Sequence, residues 1–549
     1  MLRRVLVANR GEIAVRVIRT CQRLGIETVL TVSDADAGSL PARLADKVIR
    51  IGPPPATASY LNVDAVVSAA VAARADAVHP GYGFLSENAR LARACAAEGI
   101  VFIGPAPETL EATGDKLAAR EHAIAAGLPV LPGGHVSPEN HDISRNSPTA
   151  TTGGTGDTAA TAVSVENRVP LSAAGLAGRI GYPVLVKAAG GGGGRGLRVV
   201  RDPAGLEHAI AIASAEAGAA FGDPRVYLER YVQRGRHVEV QLLGDGEHVI
   251  HLGDRDCSVQ RRYQKLIEEA PAPKLDDDLR QRLRAAAVTL GERLGYRGAG
   301  TVEFLVDTER GEFYFLEVNA RIQVEHPVTE AVTGIDIVAE QLAIAEGRPL
   351  RLKQADIILE GHAIEVRINA EDPDAEFQPS PGTITRAVFP VSAHHEMSGA
   401  VAARSARHLP TETGCGSGVV RVDTHLQAGV TVPPYYDSLL AKVVAHGADR
   451  GCALVVLRAA LDRCVVDGII TNLDLHRALL ADSEFATGGV DTGYLARWLA
   501  HATRTAPGAK EPRAAGRQAM TSHGAGPEES AAVRDHPGAD FDSGDGRDE

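Results

Sequence analysis

The sequence has few cysteines for its length, no long apolar run and no long run of basic residues. The six cysteines lie far apart with no C-x-x-C pair, which argues against a disulfide framework and predicts reduced thiols. No apolar stretch reaches the ~18 residues that a membrane helix needs, and the N-terminus has no apolar signal segment. The protein is therefore expected in the cytoplasm, with no membrane partner.

The charge balance argues against nucleic acid as a partner. The net charge is −13 at pH 7, so no duplex-binding face is expected, whereas a local basic pocket for phosphates stays open. Apolar residues make up 44% and charged residues 23% of the chain, as in soluble globular proteins. At about 150 residues per domain, a chain of 549 residues predicts three or four domains.

The first 112 residues alternate between strand and helix patterns. Residues 3–8 and 26–32 are predicted strands, and the apolar face between them predicts a helix that Gly25 ends. The same pattern continues through helices at 65–73 and 87–99 and strands at 77–78 and 101–103. This order predicts an open α/β domain with a parallel sheet. Because no G-x-G-x-x-G occurs, a dinucleotide fingerprint is absent.

Three stretches are too polar or too simple in composition to form a packed core. Residues 134–172 are rich in Ser, Thr, Gly and Asn, 393–415 are irregular, and the tail 501–549 is rich in Gly, Ala, Pro and Asp. The first and the last are expected to be disordered, whereas 393–415 is a weaker, irregular stretch. Elsewhere the pattern predicts strands at 182–187, 226–228, 237–243, 301–306, 313–318 and 363–369, and helices at 277–294 and 335–346.

The most informative segment begins at Glu317, and its first nine residues alternate polar and apolar. In an extended chain, alternate side chains point to opposite faces. One face would be apolar, and the other would carry Glu317, Asn319, Arg321, Gln323 and Glu325. Two carboxylates, two amides and a guanidinium in one row predict a reaction site.

A hairpin is predicted between residues 301–306 and 313–318, with its turn ending at Gly311. If the turn centres near residue 310, Glu303 lies opposite Glu317 on one face. Two facing carboxylates predict a Mg²⁺ site, with help from Asn319. The alternative is a pair of solvated glutamates on an exposed sheet face.

A lysine at the end of a predicted strand precedes five consecutive glycines. Lys187 and the glycines at 190–194 predict a mobile phosphate-binding loop. This is not a Walker A loop, because no Gly-Lys-Ser/Thr follows. The alternative is a flexible linker.

A local basic cluster stands out in this acidic chain. Arg261, Arg262 and Lys265 could hold a small anion or a polyphosphate. The alternative is a surface helix with ion pairs to Glu268 and Glu269.

A second alternating segment, at 361–369, places Glu365, Arg367 and Asn369 on one face. Arg367 could stabilise an oxyanion, or it could form an ion pair with Glu365. His79 is either catalytic or held in a structured turn, and the turn is favoured.

Six motifs, in order over residues 2–500, closely resemble those of biotin carboxylase. This family is the ATP-grasp component of biotin-dependent carboxylases such as acetyl-CoA carboxylase. The motifs span 9–14, 79–88, Lys187 with 190–194, 255–262, 321–330 and 433–438. The resemblance implies an α/β domain at 1–112, an ATP-grasp domain at 113–350 with a moving lid at about 132–228, and a C-terminal domain at 360–500.

The resemblance also implies a two-stage reaction. Bicarbonate attacks the γ-phosphate of ATP to give carboxyphosphate and ADP, and the carboxyl group then passes to N1 of biotin on a carrier protein. Glu325 would deprotonate bicarbonate and Arg367 would stabilise the biotin enolate. Bicarbonate would be bound by Lys265, Arg321, Gln323, Val324 and Glu325, and Mg²⁺ (or Mn²⁺) would be held by Glu303, Glu317 and Asn319.

The remaining roles that the resemblance implies concern ATP. The nucleotide would be contacted by Lys116, Lys187, Gly193, Gly194, His237, Tyr263, Glu303 and Glu317. The adenine would lie at a hinge formed by Glu229, Arg230, Tyr231 and Val232. Tyr263 and Pro41 depart from the family, which commonly has His at both positions, and Tyr263 puts nucleotide affinity in doubt.

The resemblance implies partners as well. No Ala-Met-Lys-Met biotinylation motif occurs in the sequence, so the biotin carboxyl carrier protein and the carboxyltransferase are expected as separate chains, and a homodimer is expected. The expected pathway is acetyl-CoA carboxylation in fatty acid synthesis. Alternatives are a propionyl-CoA, pyruvate or urea carboxylase, another ATP-grasp carboxylate–amine ligase, or a regulatory subunit that only binds nucleotide.

Overall fold

A computed structural model describes residues 1–136, 172–188, 197–390 and 418–505. The N-terminal part contains five strands: β1 (Arg4–Val7), β2 (Glu27–Ser33), β3 (Lys47–Gly52), β4 (Ala77–His79) and β5 (Val101–Phe102). Its helices are α1 (Gly11–Arg23), α2 (Leu40–Leu44), α3 (Val63–Ala73), α4 (Ala89–Ala97), α5 (Pro107–Gly114) and α6 (Lys116–Ala125).

The five N-terminal strands form one parallel sheet, as the sequence predicts. Their order is β3-β2-β1-β4-β5, and every neighbouring pair runs parallel. The buried face of α1 packs on this sheet. Helix α4 starts two residues later than predicted, because the Asn88 side chain accepts a hydrogen bond from the Leu91 amide and caps it. Glu87 is thereby left outside the helix.

A separate four-stranded antiparallel sheet follows in the chain. It contains β6 (Gly133–Val136), β7 (Val184–Ala188), β8 (Arg198–Val200) and β9 (Val226–Arg230), in the order β6-β9-β7-β8. Its helices are α7 (Ala173–Ile180) and α8 (Leu206–Phe221). The predicted start of the disordered insertion at residue 134 is wrong, because residues 134–136 belong to β6 and pair with β9. The rest of it, 137–171, and the glycines at 190–194 lie outside the described residues.

The centre of the molecule is an eight-stranded antiparallel sheet. Its order is β14-β13-β10-β11-β12-β15-β22-β20. The strands are β10 (Gly235–Asp245), β11 (Val249–Arg261), β12 (Gln264–Ala270), β13 (Arg297–Asp307), β14 (Glu312–Asn319), β15 (His362–Asn369), β20 (Val419–Thr424) and β22 (Leu439–Gly447). Helices α9 (Asp277–Arg293), α10 (His326–Thr333) and α11 (Ile337–Ala345) lie between these strands in the chain.

The C-terminal part adds short strands and four helices. The strands are β16 (Glu371–Asp372), β17 (Gln378–Pro379), β18 (Gly382–Thr383), β19 (Arg386–Val388), β21 (Thr431–Val432) and β23 (Val465–Asp467). The helices are α12 (Arg450–Asp462), α13 (Leu473–Ala481), α14 (Ser483–Thr487) and α15 (Tyr494–Thr505). Helix α15 continues to residue 505, so the start of the predicted disordered tail is too early. The irregular stretch 393–415 lies outside the described residues.

The hairpin prediction is confirmed, but the long alternating strand is not. Glu303 is the partner of Glu317 across β13 and β14. Strand β14 ends at Asn319, and α10 begins at His326 with Pro327 in its first turn, where proline is favoured. Residues 320–325 therefore form a non-strand connection between the two elements.

The surface-helix alternative for residues 261–269 is wrong. A two-residue turn at Arg262 and Tyr263 joins β11 to β12, and both residues have positive φ, as a tight hairpin turn requires. Leu266 and Ile267 then enter the core beneath the sheet. None of the helices among the described residues is long and apolar enough to cross a bilayer.

Candidate active site

The two main sheets border a cleft of about 610 Å³. It is lined by every site residue that the family resemblance implies and that the structure describes. These residues are Lys116, Lys187, Glu229, Arg230, Tyr231, Val232, His237, Tyr263, Lys265, Glu303, Glu317, Asn319, Arg321, Gln323, Val324, Glu325 and Arg367. Gly193 and Gly194 lie outside the described residues.

Lys265 is the centre of the charged part of the cleft. Its Nζ donates to Glu239 Oε2 at 2.6 Å, Glu303 Oε1 at 2.7 Å and Glu325 Oε1 at 2.7 Å. Burial alone would lower the pKa of Lys265, but the three carboxylates outweigh burial and raise this pKa well above its usual range. The lysine is therefore a fixed positive charge that holds three acidic side chains together.

Glu325 lies at the N-terminal end of α10, where its side chain makes no capping bond. Its carboxylate reaches back into the cleft, and Arg367 Nη2 donates to Glu325 Oε2 at 2.8 Å. Burial would raise the pKa of Glu325, but Lys265 and Arg367 hold it well below its usual range. Glu325 is thus an ionised acceptor, buried to 1% exposure, in contact with two cations.

The facing glutamates offer oxygen ligands for a cation. Glu303 Oε1 accepts from Asn319 Nδ2 at 2.9 Å, and Glu303 Oε2 lies 2.9 Å from His237 Nε2. Glu317 lies on the neighbouring strand, and its Oε2 is 3.5 Å from Lys116 Nζ. Two carboxylates and an amide oxygen are hard ligands, so this set fits Mg²⁺ chemically. The alternative of two solvated glutamates does not hold for Glu303, which is buried.

The connection after β14 keeps its polar side chains in the cleft although it is not a strand. The Ala320 amide donates to Glu87 Oε1 at 2.9 Å, and Arg321 Nε donates to Glu87 Oε2 at 2.9 Å. Arg321 Nη2 also donates to Asn319 Oδ1 at 2.8 Å. Glu87 therefore fixes both the backbone turn and the guanidinium.

The opposite end of the cleft is less polar. Lys187 Nζ lies 2.7 Å from Glu229 Oε2, so the strand-end lysine and the predicted hinge face each other. Apolar side chains complete this end, namely Leu131, Leu185, Val232, Leu305 and Phe315. Such a surface suits a flat, apolar group beside a few polar contacts.

Two sequence interpretations of the cationic residues are corrected. Arg261 and Arg262 do not line the cleft with Lys265, because they reach to Glu376, where Arg262 Nη2 donates to Oε2 at 3.0 Å. The alternative of an ion pair between Arg367 and Glu365 is wrong, because Arg367 Nε lies 2.6 Å from Oε1 of Glu268 instead.

The structured-turn interpretation of His79 agrees with its contacts. The His79 ring is fully buried, and its Nδ1 accepts a hydrogen bond from the Gly81 amide at 3.0 Å. His79 is not among the residues that line the cleft.

Sequence reasoning missed several residues of the cleft and its charged cluster. Glu239 is two residues after His237 on β10 and is the partner of Glu303 across β13, so the alternation of β10 was a usable signal. Tyr82, Asp437 and Ser438 also line the cleft. Their place could not be inferred locally, because they come from distant parts of the chain.

Comparison with known families agrees with this geometry. Residues 1–110 match the family model "Biotin carboxylase, N-terminal domain", 157–353 match "Carbamoyl-phosphate synthase L chain, ATP binding domain", and 408–497 match "Biotin carboxylase C-terminal domain". Together with the fold, these matches define an ATP-dependent ligase with an ATP-grasp core. The chain belongs to the biotin carboxylase family, whose members use ATP to carboxylate biotin.

The relatives are similar over nearly their whole length. Biotin carboxylase of Pseudomonas aeruginosa is 47% identical over 91% of this chain and 99% of the relative. Biotin carboxylase 1 of Bacillus subtilis is 44% identical over 90% of this chain and 98% of its own. A pyruvate carboxylase subunit of Methanothermobacter thermautotrophicus is 43% identical over 90% of both chains.

Solved structures agree with the fold. A Campylobacter jejuni biotin carboxylase complex with β,γ-ATP has a TM-score of 0.78 at 41% identity, covering 90% of this chain and 99% of the other. The biotin carboxylase domain dimer of Hydrogenobacter thermophilus 2-oxoglutarate carboxylase, with MgADP, ADP and bicarbonate, has a TM-score of 0.77 at 39% identity, covering 90% and 98%.

Proposed function

We propose that this chain is the biotin carboxylase component of an acetyl-CoA carboxylase. It would form carboxyphosphate and ADP from bicarbonate and ATP. The carboxyl group would then pass to N1 of biotin on a separate carrier protein, with release of phosphate, which takes the N1 proton. The observation that supports the carboxylation chemistry is the contact of Lys265 with Glu239, Glu303 and Glu325, whereas acetyl-CoA as the acceptor rests on the resemblance alone. Lys265 thus holds two carboxylates in one cleft: Glu303, which is suited to bind a metal, and Glu325, which is suited to act as a base.

The cations around Glu325 would form the bicarbonate site. Lys265 and Arg321 would bind the anion by charge-assisted hydrogen bonds, with Gln323 and the Val324 backbone beside them. Glu325 would then take the bicarbonate proton, which makes the bicarbonate oxygen a nucleophile. The pKa of Glu325 lies well below its usual range without substrates. Bound bicarbonate and phosphates would add negative charge and raise this pKa toward the working range of a base.

The nucleotide would occupy the rest of the cleft. Lys116, Lys187 and His237 would contact the phosphates or ribose, with Gly193 and Gly194 of the glycine-rich segment. The adenine would lie by residues 229–232 against the apolar wall, and Tyr263 would lie beside it. When bound, Mg²⁺ at Glu303, Glu317 and Asn319 would neutralise phosphate charge. Mn²⁺, which accepts the same oxygen ligands, is a substitute.

Arg367 would bind the ureido group of biotin. Its Nη2 contacts Glu325 at 2.8 Å, so a biotin oxygen held by Arg367 would lie next to the bicarbonate site. The guanidinium could then stabilise the negative charge that develops on that oxygen when N1 loses its proton. This places both half-steps of the reaction around Glu325.

The assembly is proposed on the resemblance to relatives. We infer domains at 1–112, 113–350 and 360–500, a homodimer, a biotin carboxyl carrier protein and a carboxyltransferase as partners, and a cytoplasmic location. The final acceptor binds to the carboxyltransferase, so the cleft does not contact it. Pyruvate is a second candidate acceptor, because the 43% identical Methanothermobacter relative is part of a pyruvate carboxylase.

The test measures ADP formation and transfer of labelled carbon by the purified chain. With ATP, Mg²⁺ and labelled bicarbonate, free biotin should stimulate ADP release, and the label should appear in acid-labile carboxybiotin. An ATPase that ignores biotin would instead indicate a different ATP-grasp ligase. Capture of the biotinylated partner from the native cell, followed by assays with acetyl-CoA and with pyruvate, separates the two acceptors.

A further inference from the structure

Two buried carboxylates lie behind Arg367, and the proposed chemistry uses neither. Glu268 on β12 and Glu365 on β15 are direct partners across the two antiparallel strands. Both residues have 0% exposure. Like charges in directly opposed positions destabilise a sheet, and burial removes the water that would screen them.

The two glutamates differ in their contacts. Glu268 Oε1 lies 2.6 Å from Arg367 Nε. The oxygens of both glutamates are buried, and none of the four has a hydrogen-bond partner among the described residues. The contact that distinguishes the two residues is the ion pair of Glu268 with Arg367, for which Glu365 has no counterpart. A buried ionised carboxylate without a partner is costly and takes a proton instead.

The neighbouring charges do not remove this cost. Arg367 already contacts Glu268 and Glu325. Lys442 on β22 donates to the Val324 carbonyl at 2.9 Å and lies 3.1 Å from Glu12 Oε1. The other charged or titratable groups that face the pair are Glu239, Cys257 and Lys265, and Asp423 lies 3.8 Å from Lys442. The cations nearest to Glu365 are thus engaged by other carboxylates.

The electrostatic balance agrees with the contacts. Burial raises the pKa of Glu268, and Arg367 opposes this rise. Burial raises the pKa of Glu365 well above its usual range, since Lys442 offsets burial only in part and Glu268 adds repulsion. Glu268 has a guanidinium partner and Glu365 has none, so the proton resides on Glu365.

We propose that Glu365 is protonated at neutral pH, and that the pair thereby presents a single negative charge, on Glu268, which positions Arg367. This inference rests on the proposed role of Arg367 toward biotin. A second negative charge behind the guanidinium would draw it away from Glu325 and the cleft. Glu268 and Glu365 are positioning residues, because they act on substrate through Arg367.

The backbone of Arg367 is fixed independently of this pair. The Arg367 carbonyl accepts from Asn472 Nδ2 at 3.0 Å and from His476 Nε2 at 2.7 Å. Burial lowers the pKa of His476 to about 4, so this ring is a neutral donor at working pH. The side chain of Arg367 is therefore the part that responds to the charge behind it.

The experiment compares Glu365→Gln with the wild type between pH 5 and pH 8. The unfolded chain ionises Glu365 over this range while the folded protein keeps the proton, so the wild type loses stability as pH rises. Gln has no such loss. The ratio of folded to unfolded protein should therefore rise in the variant, relative to the wild type, by up to about tenfold for each pH unit. If Glu365→Gln does not fold, Glu365→Met serves as the variant for the same comparison.

Matched controls and two further measurements sharpen the test. Glu340→Gln removes a half-buried carboxyl whose pKa burial also raises but which lies outside the cluster. The infrared C=O band of a protonated carboxyl at pH 7 should weaken in Glu365→Gln and not in Glu268→Gln. Glu268→Gln should raise the KM for biotin by about tenfold. In Glu365→Gln, the fall of the biotin-dependent rate on the alkaline side of the pH profile should shift to higher pH.

Either of two results would overturn the inference. One is a stability difference between Glu365→Gln and wild type that stays flat from pH 5 to pH 8. The other is a wild-type spectrum with no protonated carboxyl at pH 7. Neither measurement needs substrate, so the inference can fail while biotin carboxylation stands. A failure to carboxylate biotin would instead count against the proposed function alone.

Discussion

At the scale of single residues, a few cationic side chains each contact several carboxylates in the cleft. Lys265 contacts three glutamates, and Arg367 contacts two. Each carboxylate is therefore held in a fixed orientation before any ligand binds. Preorganised charge of this kind needs no rearrangement during reaction.

Glu325→Gln tests the assignment of the base. The amide keeps the shape of the side chain but cannot take a proton, so turnover should fall by at least about 100-fold. Nucleotide affinity should stay close to that of the wild type, because the adenine and phosphate contacts are elsewhere in the cleft. The measurements are steady-state biotin carboxylation and nucleotide titration. Glu376→Gln, at an exposed carboxylate, is the control, and wild-type turnover in Glu325→Gln would refute the mechanism.

At the scale of elements, the connection between β14 and α10 carries the residues proposed to bind bicarbonate, although it is not a strand. Glu87, from the N-terminal part, holds Ala320 and Arg321. A contact across more than 200 residues of sequence thus ends the strand and aims the guanidinium. The function of this connection depends on a residue that lies outside it.

Glu87→Gln should weaken the site through Arg321. The amide can still accept one hydrogen bond, but it loses the charge that holds the guanidinium, so the KM for bicarbonate should rise by about tenfold. The kcat should change less, because Glu325 is untouched. Initial rates at varied bicarbonate check this, with Glu98→Gln at an exposed position after α4 as control. An unchanged KM would show that Arg321 does not need this anchor.

The elements also show what local patterns could and could not predict. The Glu303–Glu317 pairing was predictable because one short hairpin contains both residues. The pairing of Glu268 with Glu365 was not, because β12 and β15 are joined by nearly 100 residues that include three helices. The end of the alternating segment at Asn319 was missed for the same reason, since Glu87 decides it. Periodicity grouped Arg321, Gln323 and Glu325, which do line the cleft, but it assigned residues 320–325 the wrong backbone conformation.

At the scale of the whole molecule, one buried lysine joins three distant regions. Lys442 on β22 is fully buried, lies 3.1 Å from Glu12 on α1, and donates to the Val324 carbonyl. It thus ties the N-terminal helix, the active-site connection and the C-terminal strand together.

Lys442→Met should destabilise the protein by about 3–5 kcal/mol, since it leaves the buried Glu12 carboxylate without its cation. Adding Glu12→Gln should recover part of this loss. Lys47→Met, at an exposed ion pair with Glu27, should cost less than about 1 kcal/mol. Urea unfolding of all four proteins measures these differences. Equal effects of Lys442→Met and Lys47→Met would contradict the account.

The continuity of the eight-stranded sheet has a mechanical consequence. Strand β12 carries Lys265 and is hydrogen-bonded to β15, which carries Arg367. The hydrogen bonds of the sheet therefore fix the spacing between these two residues. Among the described residues, no strand of the four-stranded sheet pairs with the eight-stranded sheet. Val130, shortly before β6, forms an isolated β-bridge with Phe315 on β14. The four-stranded and eight-stranded sheets are therefore joined without a shared ladder of strand hydrogen bonds, whereas Lys265 and Arg367 lie on paired strands of one ladder. A change in the position of one sheet relative to the other would leave the spacing of Lys265 and Arg367 unchanged.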